Sequence, residues 1–130
     1  MSIEENKNLV RRFIEALDTN NLSTLDDLLS PELAQVWQGG INTGPFSEHH
    51  VTITDMVAEG DKVVVRLATQ GIHSGEWQSI PATGKRWTNW GVVVFRLEQG
   101  KIVEGDMLFD QLGLLRQFGA TILPPTAASS

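Results

Sequence analysis

The sequence predicts an α+β domain, with helices packed on one face of a curved antiparallel sheet. Three observations carry this reading. Apolar residues up to Leu29 recur at helical spacing. From Val51 onward the period changes to two. The β-branched segments that follow are separated by short turn signals rather than by further helices. The chain has 130 residues, the size of one ordinary domain. Residues 1–122 are expected to form it, and residues 123–130, rich in Pro, Ala and Ser, an extended or disordered tail.

The elements follow in order. Ser2 and Glu5 form a capping box. Leu9, Val10, Phe13, Ile14 and Leu17 then line one helical face, which ends near Thr19-Asn20-Asn21. Ser23 or Asn21 caps a shorter helix that buries Leu25, Leu28 and Leu29. Pro31 marks a stop or a fresh turn. Residues 33–38 read as a short strand, and Gly39-Gly40, Asn42, Gly44 and Pro45 as a loop. Strands are predicted over 51–56, 62–69, 86–97 and 101–109. Turns are expected at Glu59-Gly60-Asp61 and Glu98-Gln99-Gly100, with a loop over 79–84. Val92-Val93-Val94-Phe95 reads as buried on both faces. Asp110 caps a last short helix through Phe118.

Composition excludes several functions. The net charge is −6, and Arg11-Arg12 and Lys85-Arg86 are only pairs, so no basic surface suits nucleic acid. With no cysteine there is no disulfide, thiol nucleophile or thiolate zinc site. No apolar run approaches ~18 residues and no basic-then-apolar leader is visible, so a soluble, cytoplasmic protein without membrane contact is expected. His49 and His50 are adjacent and face opposite ways in a strand. No residues have the spacing of a metal motif, and no metal or cofactor is expected.

Several stretches carry a family resemblance. These are Leu9-Val10-Arg11-Arg12-Phe13, Ala58-Glu59-Gly60-Asp61-Lys62-Val63 with Arg66, and Gly71-Ile72-His73-Ser74-Gly75. Further on come Ile80-Pro81-Ala82-Thr83-Gly84-Lys85-Arg86, Gly100-Lys101-Ile102-Val103-Glu104, and Asp110 with the run from Leu112 to Gly119. Together they resemble SnoaL-like polyketide cyclases, within the nuclear-transport-factor-like cone folds, over nearly the whole chain. The resemblance implies a cone with an apolar interior and an intramolecular aldol closure without cofactor. A carboxylate, its pKa raised by the pocket, removes a proton next to a carbonyl, and a polar neighbour steadies the enolate.

Against that pattern, Met107 stands where the family has its catalytic Asp, and Val93 where it has a histidine. Asp106 is one residue early and reaches the interior only through a β-bulge. Asp110 matches the family's second aspartate and also suits a helix cap. The family's third helix after Gly-Pro is missing, since Gly44-Pro45 runs straight into Phe46-Ser47-Glu48-His49-His50. The pocket is therefore expected to be more open, or closed by the tail or a partner chain.

The candidate catalytic residues are thus Asp106 and Asp110. The candidate pocket is Trp37, His73, Trp87, Asn89, Val93 and Met107, with Asn89 as its polar group. Trp87, Asn89, Gly91, Val93 and Phe95 should face the interior, and Trp90 and Val92 outward. Three functions stay open. One is a cyclase or isomerase acting on an apolar carbonyl compound. The second is a binding module without acid/base groups, and the third a structural protein. A homodimer through the sheet is the expected assembly.

Overall fold

The structure, a computed structural model, describes residues 2–36 and 44–125. Helix α1 (Ile3–Thr19) starts at the capping box, where the Ser2 side chain accepts from the Glu5 backbone and Glu5 accepts from that of Ser2. It stops where Asn20 turns left-handed at φ 56°. Its buried stripe contains Leu9, Val10, Phe13 and Ile14, as the spacing predicts. Helix α2 (Leu22–Leu28) is capped by Asn21 rather than Ser23.

Pro31 starts a fresh turn. Residues 31–36 form helix α3 (Pro31–Val36), which corrects the strand expected from Leu33. Ser30 accepts the Leu33 and Ala34 N–H groups through its side chain and carbonyl. Proline at the first helical position has no N–H to leave unpaired. These end effects outweigh the β-like look of a short apolar run.

The sheet follows as β1 (Phe46–Glu59), β2 (Lys62–His73), β3 (Arg86–Glu98) and β4 (Lys101–Phe109), in that spatial order and antiparallel throughout. Gln99 and Gly100 both have positive φ, the two-residue turn that matches strand twist. No helix separates Gly44-Pro45 from β1.

Helix α1 lies across one face of this curved sheet, here the concave face. Val63, Val65, Leu67, Val93 and Phe95 point at it and are sealed. Phe13 meets Phe95 edge-on, ring centres 5.5 Å apart. The short helix α4 (Gln111–Gln117) covers a second cluster, where Leu114 and Phe118 bury Trp87. Val92 and Val94 face away from the helices and are only half-buried, which corrects their expected burial on both faces. No described element covers the convex side, and Trp90, Leu108 and Val57 are exposed there.

Candidate functional site

Strand register decides which side chains reach the concave face. On β3 the odd positions from Trp87 to Phe95 look inward, Trp87, Val93 and Phe95 among the buried positions. On β4 a bulge intervenes. Arg96 pairs with Glu104 and Leu97 with Ile102, leaving Val103 extra. Strict alternation from the buried Ile102 would have sent Asp106 inward. The extra residue reverses the order, so Gly105, Met107 and Phe109 oppose Phe95, Val93 and Gly91. Asp106 opposes Val94 on the convex face and is exposed. A carboxylate there cannot reach the concave site.

The concave face is sealed under α1, α2 and α3 and open at the Met107–Phe109 end of β4. Met107 is 54% exposed and Phe109 40%, although their partners Val93 and Gly91 are buried. Gly91 belongs here for a packing reason: a Cβ would stand 3.0 Å from the Leu108 carbonyl and 3.3 Å from the Met107 methyl. Met107 and Phe109 thus form an open apolar strip beside the sealed Val93.

The remaining candidates are held in contacts within the fold. Asp110 is the cap of α4, its carboxylate accepting the Gly113 N–H at 2.9 Å. Asn89 spends its amide on the backbone. Its Nδ2 donates to the Asp110 carbonyl at 3.2 Å and its Oδ1 accepts the Trp90 N–H at 2.8 Å. His73 is fully buried and stacks on Phe118, ring centres 4.0 Å apart. Its Nδ1 faces Thr83, 2.9 Å from the hydroxyl and 3.3 Å from the backbone nitrogen, and its Nε2 points the other way. That nitrogen is buried without a partner among the described residues, as is Trp87 Nε1. Trp37 lies outside the described residues.

One group escaped the sequence reading as an acid or base. The pairing of β1 with β2 runs from Ser47↔Ile72 to His50↔Gln70, one residue out of step, and Glu48 sits at φ 50°. This bulge puts His49 in step with the buried Val51, so it shares the concave face. Its half-buried ring lies beside Trp87, centres 6.0 Å apart. Burial holds the imidazole below its usual pKa of 6.5, against the opposing pull of Asp18 and with a further push from His50. The Asp18 carboxylate is already engaged, accepting the Val51 N–H at 2.9 Å and lying 3.3 Å from His50 Nδ1. The only sequence signal for this placement was an aromatic, Trp87, opposite a glycine, Gly71, in a region where a bulge was not visible.

His50 itself belongs to the convex side, in a row with Gln70 and Thr88. Two adjoining clefts of about 360 and 340 Å³ share those three residues. No group of three His, Asp or Glu side chains is placed to hold a metal ion among the described residues. No described helix is long and apolar enough to cross a membrane.

A curved four-stranded sheet wrapped on N-terminal helices, with an open apolar strip at one end, defines a cone-shaped α+β protein. The comparisons agree and go further. Residues 7–118 match the SnoaL-like polyketide cyclase family, and the chain belongs to it. It is 28% identical to aklanonic acid methyl ester cyclase DnrD of Streptomyces peucetius, over 85% of this chain and 88% of the relative. TsrD from Streptomyces laurentii has a similar structure, with a TM-score of 0.76 at 25% identity over 93% of this chain and 99% of that one. AclR from Streptomyces galilaeus shares the fold at a TM-score of 0.77 and 24% identity, over 91% of this chain and 98% of its own.

Proposed function

We propose that the protein binds a small apolar carbonyl compound on its concave face and acts as a cofactor-independent cyclase or isomerase. One observation carries the binding half of this reading: Met107 and Phe109 stay open on a face whose residues under α1 are sealed. Family membership supports the reaction class, and the name of the relative DnrD suggests an aromatic polyketide methyl ester as the compound. The test is a titration with aklanonic acid methyl ester, followed by tryptophan fluorescence and by product analysis. Met107→Arg places a charge on the apolar strip and should weaken binding by about tenfold or more. Unchanged affinity in that variant, or no binding by the parent protein, refutes the site.

A second reading is favoured by one specific fact. Asp106 lies on the convex side, and the position opposite Val93 on the concave face is held by Met107, which has no acid/base group. A binding module without catalysis fits this, and tight binding without turnover would support it.

The assembly proposed is a homodimer through the convex sheet face. Leu108 is 73% exposed, Val57 63% and Trp90 51%, and charged pairs such as Asp55–Arg66 lie beside them. Light scattering should give a dimer for the parent protein and a monomer for Leu108→Arg. A monomeric parent protein would end this proposal.

A further inference from the structure

We propose that His49 is the proton acceptor of the concave site, and that the substrate is an elongated aryl ketone or keto ester reaching from the Met107–Phe109 strip to this imidazole. The inference rests on the binding reading above and adds to it a residue and a substrate shape.

The first support is position. The bulge at Glu48 turns His49 onto the concave face, and Gly71 clears the space between it and Trp87. A Cβ on Gly71 would lie 2.9 Å from the Trp87 ring, so the glycine is what lets Trp87 lie there beside the histidine. The second support is an unused ring. Asp18 is taken by His50 and the Val51 N–H, and His49 makes no hydrogen bond among the described residues. By contrast His73 is tied to Thr83, Asp110 to Gly113, and Asp106 faces the other way.

The third support is protonation state. The charged groups around His49 are Asp18 from α1, Glu48 and His50 from β1, and Arg86 from β3, which is paired to Glu48 at 3.3 Å. Strand β2 faces it with uncharged Gly71. Burial outweighs the pull of Asp18, so the ring is neutral at neutral pH, the form a base requires. Geometry also sets the substrate's length. The row of His49 and Trp87 is four β3 residues from the row of Gly91 and Phe109, about 13 Å along the strands, and β1 lies three strand spacings of about 4.8 Å from β4, so His49 and Phe109 stand roughly 20 Å apart over the sheet. A compound that lies on the open strip and presents its carbonyl-flanking C–H to His49 must be elongated.

The chemistry balances without an added reagent. An imidazole nitrogen takes the α-proton, and the C–H electron pair becomes the enolate. The enolate carbon bonds to a second carbonyl carbon of the same molecule, and the new alkoxide takes the proton back from the imidazolium.

The experiment uses the full chain and, as probe, a naphthyl-terminated decanone whose methyl ketone stands at the far end of its alkyl chain, long enough to reach from the strip to His49. Fluorescence measures binding, and NMR follows exchange of the methyl protons in deuterated water. The parent protein should bind and speed exchange, with a rate that rises with pH and levels off above a pKa below that of free histidine. His49→Gln should lose about 100-fold in exchange rate with affinity within about threefold, and Asp106→Asn should lose neither. Added imidazole should restore exchange to a His49→Gly variant, a rescue that a purely structural role would not give. Binding with exchange unchanged in His49→Gln overturns the assignment, as does binding with no exchange above background. Failure of the parent protein to bind refutes the concave site itself, and the role of His49 falls with it.

Discussion

The concave face has two halves built from the same strands, and they end differently. Under α1, Val63 and Val65 are completely buried and Phe13 is 2% exposed. Toward β4, the neighbouring Met107 is 54% exposed. The strands are continuous between them, so strand sequence does not explain the contrast. Cover does: α1 and α2 lie over the first half, and no helix stands between Gly44-Pro45 and β1 to lie over the second. Apolar surface that packing leaves open is available for a ligand.

The largest test of this contrast is a pair of truncations. Phe13→Ala empties a sealed site and should lower unfolding free energy by about 3–5 kcal/mol. Met107→Ala should lower it by less than about 1 kcal/mol, since that side chain is already half in solvent. Denaturant titration measures both. Equal losses would mean that the two halves are packed alike.

A smaller effect is expected from pH. The folded-state pKa of His49 is depressed, so between that value and its unfolded value the unfolded chain binds more protons. Its contribution is therefore fully present above about pH 6.5 and is lost as pH falls through the folded value. His49→Gln should remove this part of the acid sensitivity, leaving parent and variant parallel above neutrality. A parent that instead loses stability relative to the variant as pH rises would reverse the assigned cause.

The smallest test concerns α4, which closes the far end of the face. A Cβ at Gly113 would lie 2.2 Å from the Asp110 carboxylate. Gly113→Ala should displace that cap, and the loss of about 1 kcal/mol offsets a helix-propensity gain of about the same size. In an Asp110→Ala background the same substitution should stabilise by about 1 kcal/mol. Additive effects in the two backgrounds would show that Asp110 does not act as the cap.

Most of the fold was legible because its signals are local. The capping box, the Leu9-to-Ile14 stripe, the Gln99-Gly100 turn and the Asp110 cap each lie within a few residues of sequence. The site was less legible because it depends on two bulges. Whether Asp106 or Met107 faces inward rests on one extra residue, Val103, and the placement of His49 on one more near Glu48. A period-two pattern cannot show a one-residue slip when the flanking residues are polar or mixed. Asn89 read as a free polar group because its bonds to Asp110 and Trp90 depend on how β3 meets the β4–α4 junction. Residues 33–38 read as a strand because the helix that takes in 33–36 depends on its ends, Ser30 and Pro31, rather than on its apolar pattern.

The most direct test of the account is methyl NMR on the methionines, of which the chain has three. Met56 packs against the sealed core, and Met107 lies on the open strip. On titration with the naphthyl-terminated decanone, the Met107 methyl should shift in a saturable way while Met56 stays in place. A Met107 methyl that stays still at saturating ketone would contradict the account and take the ligand off the concave strip.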